Sequence, residues 1–203
     1  MTTYYWVLEN LYNGFSRNEL EHEIQKAFDK WSRYILADFK KINIKNYTPN
    51  EDIITIGFYS GKHNCLSFDG KHGVLAHASY SPFSMKSLSV HFDADENWNI
   101  TGDLNSIFFK DPFFHNIAVH EIGHILGLNH NTDRRSIMFK KYSRFISDLS
   151  NNDILNLQKI HGTRLNIENR AEEPYLFILI KVYYKEITCV LLTYIIFNYL
   201  FQN

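Results

Sequence analysis

Residues 120–130 read HEIGHILGLNH, and this stretch decides the fold. Residues four apart lie on one face of a helix, so His120 and His124 can direct their imidazoles at one point. Gly127 permits a left-handed turn, which lets the chain double back so that His130 supplies a third nitrogen. Three neutral histidines leave one tetrahedral position open for water, which distinguishes a catalytic zinc site from a structural one. The stretch therefore predicts a catalytic zinc bound by these three histidines.

Glu121 directly follows the first histidine and is the expected general base. Zinc lowers the pKa of its bound water to about 7. The carboxylate can then take the proton as this water attacks a peptide carbonyl. A bare H-E-x-x-H motif also occurs in ordinary helices. The added glycine and third histidine at fixed spacing make that alternative much weaker.

A methionine eight residues after the last of these histidines, Met138, extends the motif. In this setting Ser136-Ile137-Met138 resembles the methionine turn of the metzincins. Four further stretches resemble the matrixins, or matrix metalloproteinases, within that group. They are Phe68-Asp69-Gly70, Leu75-Ala76-His77-Ala78, His91-Phe92-Asp93-Ala94-Asp95-Glu96, and Leu149-Ser150 to Gly162.

This resemblance runs from about Tyr4 to Gly162 and implies both a fold and an activity. The fold is the α/β (α+β) metzincin fold, with a twisted mixed five-stranded sheet, three helices and zinc in a cleft below the edge strand. The activity is that of a zinc metalloendopeptidase hydrolysing peptide bonds in proteins, with extracellular matrix as one candidate class. The alternative is a metal-stabilised protein-binding module with weak or lost peptidase activity.

The resemblance also implies a structural zinc, which matrixins hold with three histidines and an aspartate. The histidines fall on His63, His77 and His91, but the aspartate is missing and its place falls on Cys65 or Asn64. A thiolate is a good zinc ligand, so we favour Cys65. In the alternative the site is weakened or empty, and Cys65 is a small buried apolar residue.

A calcium site is a further implication of the resemblance, because hard oxygen ligands suit calcium. The alternative is a set of solvated acids. The expected ligands are Asp69, Asp93 and Glu96, completed by Gly70 and the backbone carbonyls of His72 and Val74.

Substrate binding in matrixins uses an edge strand, to which an extended peptide adds as a further strand. The edge strand is expected to contain Val74, Leu75 and Ala76. The wall of an apolar pocket beside the zinc matches Phe139 to Tyr142, and Tyr142 aligns with the family's wall tyrosine. Lys140 stands where a proline is usual, which weakens the expected rigidity of this wall. We expect a preference for a large apolar residue just after the scissile bond.

The amino-acid composition limits the classes of molecule that this chain is expected to bind. The 21 lysines and arginines nearly balance the 22 acids, so no global field attracts nucleic acid. We expect a monomer acting on protein or peptide substrates. Cys65 and Cys189 lie in very different settings, which argues against a disulfide framework.

The 203 residues suit one domain with a short appendage. We predict a catalytic domain at 1–162, a polar linker at 163–174 and an apolar tail at 175–203. The uninterrupted apolar part, Ile187 to Phe201, is shorter than the roughly 20 residues that span a bilayer. The tail is a membrane anchor, an amphipathic helix docked on the domain, or a sequence artefact.

The N-terminal residues Met1 to Glu9 lack the pattern of a secretory signal, whereas the resemblance implies an extracellular or cell-surface location. Alternation and β-branched content predict strands at Tyr4–Leu8, Phe39–Ile44, Ile53–Phe58, Val74–Ala78 and Leu88–Phe92. Capping residues and helical periodicity predict helices from Ser16 towards Ile35, from Pro112 to Leu126, and from Ser150 to Gly162.

Overall fold

The computed structural model describes residues 2–43, 45, 53–81, 84–100 and 111–164. They belong to one compact unit that ends at Arg164. The predicted tail at 175–203 and most of the predicted linker lie outside the described residues. No helix within the described ranges combines the length and the apolar character needed to cross a membrane.

The described residues form five strands and three helices, as predicted. In chain order these are β1 (Thr2–Leu8), α1 (Arg17–Ser32), β2 (Ala37–Lys41), β3 (Ile53–Tyr59), β4 (Ala76–Ser81), β5 (Ser84–Asp93), α2 (Phe114–Ile125) and α3 (Asn151–His161). The sheet order is β2-β1-β3-β5-β4. Neighbouring strands are parallel except β4, which pairs antiparallel with β5. The mixed sheet therefore presents β4 at one edge.

Burial explains the central strands and the packed helices. In β3 nearly every residue is buried, as a parallel strand covered on both faces requires. Trp31 of α1 is fully buried and donates its indole N–H to the Val119 carbonyl of α2 at 2.9 Å. This contact fixes the two helices against each other and places the second half of α2 beside the sheet edge.

Capping residues begin α1 and α3 at the predicted positions. Ser16 and Glu19 form a reciprocal capping box, and Ser150 and Asp153 form another. Gly162 ends α3 with a φ of 75°, a conformation that favours glycine. Both helix starts could be predicted because each pair of groups is local in sequence.

The edge strand was predicted to start too early. Val74 and Leu75 lie before β4, which begins at Ala76. The backbone N–H of Val74 is bonded to the Asp69 carboxylate at 2.8 Å, so it belongs to the preceding loop rather than to a strand ladder. The neighbouring β5 is longer than predicted and begins at Ser84.

Two other boundaries were also wrong. Phe113 stays extended and forms a bridge with Asn99, so α2 starts after Pro112 rather than at it. The strand predicted from Phe39 begins at Ala37, which pairs with Thr2.

The first two residues of the predicted linker contact the domain. Thr163 forms a bridge with Ile35. Arg164 donates its side-chain N–H groups to the carbonyls of Ile35 and Ala37 at 2.8 and 2.9 Å. These contacts hold the chain against the start of β2 as far as residue 164.

Candidate metal centres and active site

Helix α2 and the turn after it gather three imidazoles. The Nε2 atom of His124 lies 3.1 Å from that of His120 and 3.2 Å from that of His130. The two helical rings come together because they are one turn apart. Gly127 has a φ of 92°, so the chain reverses there and returns His130 to the same point.

Backbone carbonyls fix which nitrogen of each helical ring is free. His120 donates from Nδ1 to the Ile137 carbonyl and His124 donates from Nδ1 to the Leu128 carbonyl, both at 2.7 Å. Both Nε2 atoms therefore carry lone pairs, and two lone pairs 3.1 Å apart repel unless a cation lies between them. Burial lowers the pKa of His120 to about 4, which keeps its ring neutral. The donor set therefore fits a zinc ion.

Met138, the predicted methionine-turn residue, packs against Gly123 of α2, the helix that carries His120 and His124. It is fully buried, and a Cβ added at Gly123 would lie 2.4 Å from its sulfur and 3.0 Å from Trp31 Cζ2. Only glycine fits between these side chains. A glycine inside a helix is destabilising, so this close approach is the physical reason for its presence.

Asp153 holds the turn that contains Met138. It is buried, accepts from the Ser136 hydroxyl through Oδ1, and accepts from the Ile137 backbone N–H at 3.3 Å. The same carboxylate caps α3. Since the Ile137 carbonyl orients His120, Asp153 positions a metal ligand through the turn.

Glu121 directly follows His120 in α2, and both residues line one cavity. Its side chain is 6% exposed. Burial raises the pKa of this carboxyl to about 8, opposed by a hydrogen bond from the backbone of Ala78. A cation at the neighbouring nitrogens would favour the charged carboxylate again. This buried carboxyl beside open space suits a proton acceptor.

A second cluster contains the sulfur and three histidines predicted from the resemblance. Cys65 Sγ lies 3.1 Å from His63 Nε2, 2.8 Å from His77 Nε2 and 2.9 Å from His91 Nδ1. Burial raises the pKa of the Cys65 thiol. A protonated thiol has one hydrogen, so it can donate to only one of these three nitrogens. Burial, and then the charges of the other two rings, lowers the pKa of His91 to about 4.

These four donors fit a tetrahedral metal site. The buried Nδ1 of His77 has no partner among the described residues. His63 donates from Nδ1 to the Gly61 carbonyl, which leaves its Nε2 free. Cys65 is only partly buried, which does not match the alternative of a buried apolar residue. Among the described residues, only these two clusters gather three or more His, Cys, Asp or Glu donor atoms within 4.8 Å.

The predicted calcium ligands surround the loop before β4. Asp93 is fully buried, and its Oδ2 has no partner among the described residues. Burial raises the pKa of Asp93, and the charge of Asp69 contributes in the same direction. Glu96 is also buried and accepts from the backbone N–H of His72. The carboxylate oxygens of these three acids do not all lie within 4.8 Å of one another, so the feature that fits a hard cation is the orphaned Asp93 oxygen.

A cavity of about 460 Å³ opens beside His120 and His130. Its lining includes all the predicted substrate-binding residues: Val74, Leu75 and Ala76 on the sheet side, and Phe139 to Tyr142 on the other side. The Tyr142 hydroxyl accepts from the Phe113 backbone N–H at 2.8 Å, which fixes one end of this wall.

Comparison with known proteins identifies the family. A model of the matrixin family matches residues 2–162. The chain belongs to the matrixin family. This match confirms the resemblance and covers the whole sheet, all three helices and both histidine clusters of this matrixin.

Several proteinases are similar to this matrixin. It is 36% identical over 171 residues to metalloendoproteinase 2-MMP of Arabidopsis thaliana, which covers 78% of this chain and 42% of that protein. It is 32% identical to karilysin of Tannerella forsythia, over 82% of this chain and 34% of that protein. It is 36% identical to macrophage metalloelastase of Oryctolagus cuniculus, over 76% of this chain and 32% of that protein. The chain thus spans about a third to two fifths of the length of these relatives.

Two residues of this matrixin site were missed in the sequence. Asn116 lines the cavity and donates from Nδ2 to the Ile146 carbonyl at 2.9 Å. It lies one helical turn before His120, so helical spacing could have revealed it. Gly123 could have been noticed as a helix-interior glycine. The contacts of Asp153 with the turn at Ser136 and Ile137 were not predicted, because they are tertiary.

Proposed function

We propose that this matrixin is a zinc-dependent metalloendopeptidase that hydrolyses peptide bonds in proteins. The observation that supports this most directly is the convergence of three imidazole Nε2 atoms beside the buried carboxyl of Glu121. His120, His130 and Glu121 line one cavity, which is large enough for a peptide side chain.

The residues of the site have separate roles. His120, His124 and His130 would hold the zinc, and the Nδ1 hydrogen bonds of the first two keep their lone pairs directed at it. When bound, the zinc would act as a Lewis acid that polarises the scissile carbonyl and increases the acidity of water. Glu121 would accept the proton of the attacking water and donate it to the leaving amine.

Substrate handling is proposed from the position of the cavity. It lies beside the start of β4, the sheet edge to which an extended peptide can add. The residue after the scissile bond would enter the cavity, with a preference for a large apolar side chain. One similar protein is named an elastase and another an interstitial collagenase, so extracellular protein substrates are the class we propose. We propose an extracellular or cell-surface location and a monomeric enzyme.

The alternative, a protein-binding module with lost turnover, is not favoured. The convergence of His120, His124 and His130 next to Glu121 supports an active enzyme, and the similar proteins carry proteinase names. A decayed enzyme would have no chemical reason to retain a buried base beside its metal ligands.

The experiment that tests this function is a peptidase assay on the zinc-loaded chain. We expect hydrolysis of fluorogenic peptides that stops with a zinc chelator and returns when zinc is restored. Hydrolysis that persists after the chelator has removed all zinc would contradict the proposal.

We also propose a structural zinc at Cys65, His63, His77 and His91, and a calcium at Asp69, Asp93 and Glu96. Gly70 and the backbone carbonyls of His72 and Val74 would complete the calcium shell. The support is the convergence of sulfur and nitrogen atoms in the first case and the orphaned Asp93 oxygen in the second. Neither ion takes part in the proposed chemistry, so their loss would act through stability.

Replacing Cys65 with alanine is expected to lower bound zinc from two equivalents towards one. The variant would remove one of four donors while leaving the catalytic cluster intact. Metal analysis of the purified chain measures this. Cobalt substitution provides a second readout, because a cobalt–thiolate bond absorbs in the near ultraviolet and should disappear in this variant. A Cys65→Asp variant, which restores the family's ligand, should recover the second zinc without that absorption. Unchanged zinc content in Cys65→Ala would count against thiolate ligation.

A further inference from the structure

Two neighbouring lysines line the cavity at its wall. Lys140 and Lys141 are both exposed and both belong to the cavity lining. Neither forms an ion pair or a hydrogen bond with another described residue. Their ammonium groups are therefore available to a molecule that occupies the cavity.

Among the described residues, the cavity lining holds no acid free to neutralise these lysines. Its one carboxyl group is Glu121, which is buried and committed to the proposed chemistry. Two acids elsewhere in the same stretch of chain are already paired, Asp133 with Arg135 at 3.0 Å and Asp148 with Lys30 at 3.7 Å. The wall thus carries uncompensated positive charge.

The backbone holds these lysines in place. Phe139, just before them, forms a bridge with Asn131, and the Asn131 N–H donates to the Met138 carbonyl at 2.7 Å. Tyr142, just after them, accepts from the Phe113 N–H. A cationic pair fixed between two anchored residues can select the charge of a ligand.

We propose that this matrixin prefers peptides with a carboxylate side chain at the second or third residue after the scissile bond. The inference rests on the proposed function, in which the residue just after the bond enters the cavity. Because both lysines are exposed, they lie at the mouth of the cavity rather than its floor. They would therefore meet the residues that follow the one filling it. The substrate class is an acidic segment downstream of an apolar residue.

The test compares fluorogenic peptides that differ at one position. Each has a fixed large apolar residue after the scissile bond and either Asp or Asn at the second or the third position beyond the bond. For the zinc-loaded chain we expect kcat/KM to be about two- to fivefold higher with Asp at one of these positions, as exposed charge pairs provide. The advantage should shrink as sodium chloride rises from about 0.05 M to about 0.5 M, because salt screens exposed charges.

Variants identify the source of the preference. The Lys140→Gln, Lys141→Gln double variant should bring the Asp-to-Asn ratio close to one. The Lys140→Glu, Lys141→Glu variant should instead prefer Lys over Gln at the same position. Lys159→Gln, which removes a lysine from α3 outside the cavity lining, should keep the original ratio.

A binding readout separates failure of this inference from failure of the proposed function. Labelled peptides can be titrated onto the Glu121→Gln variant by fluorescence anisotropy, which compares Asp with Asn without turnover. Absence of hydrolysis for every peptide would overturn the peptidase proposal, while a binding preference for Asp would still support the charge selection. Equal ratios in both readouts, or a preference that survives in the double glutamine variant, would overturn the inference.

Discussion

Replacing Glu121 with glutamine is expected to lower kcat for peptide hydrolysis by about 10²- to 10⁴-fold, the range that a general base contributes. The amide has the same shape as the carboxyl but cannot accept the proton of the attacking water. Zinc content should stay unchanged, because Glu121 is adjacent to a ligand without being one of the three converging donors. Steady-state kinetics beside metal analysis measures both quantities.

The matched control is Asp133→Asn, another acid-to-amide change in the neighbouring loop. Asp133 is half-buried and pairs with the exposed Arg135 outside the cavity lining, so its neutralisation should leave kcat near the wild-type value. Residual activity of Glu121→Gln close to wild type would show that another group accepts the proton. Loss of zinc in this variant would instead assign Glu121 to the metal shell.

The part of the site that the sequence predicted is the part built by local spacing. The i, i+4 pair His120 and His124 needs only a helix, and Gly127 needs only a residue free to adopt a positive φ. The helix starts at Ser16 and Ser150 could likewise be predicted, because capping groups lie three residues apart. Such features depend on backbone geometry that is the same in any fold.

Features that depend on tertiary contacts were missed or misplaced. The start of β4 is decided by the Asp69 carboxylate, which takes the N–H of Val74 into a loop. The extended pairing of Asn99 with Phe113 likewise delays α2. The requirement for glycine at position 123 comes from Met138 and Trp31, which are distant in sequence. The hydrophobic periodicity of the sequence does not predict any of these contacts.

The second cluster shows how resemblance and geometry complement each other. The family pattern identified His63, His77 and His91, but it left Cys65 and Asn64 as alternatives for the fourth position. The structure brings the Cys65 sulfur within 3.1 Å of a nitrogen on each of the three rings. Distances therefore favour sulfur where the sequence alone could not decide.

Replacing His124 with alanine is expected to remove one zinc equivalent and abolish peptidase activity. His124 is the central donor, since its Nε2 lies 3.1 and 3.2 Å from the other two. The zinc would then have two histidine ligands instead of three, and two histidines bind zinc far more weakly than three. Metal analysis and the fluorogenic assay measure the two losses, and His22→Ala serves as control because that exposed histidine lies outside both clusters.

Combining this change with Cys65→Ala separates the two zinc sites. If the sites are independent, His124→Ala should remove activity and one zinc equivalent, and Cys65→Ala should remove the other zinc equivalent. The double variant should then bind almost no zinc. The donor atoms of the two clusters form separate groups, which is the geometric reason to expect additive losses. His124→Ala also removes the Nδ1 hydrogen bond to the Leu128 carbonyl, so thermal unfolding must show that the chain stays folded. A folded His124→Ala chain that keeps both zinc equivalents would contradict the catalytic site, because the metal would then be bound elsewhere.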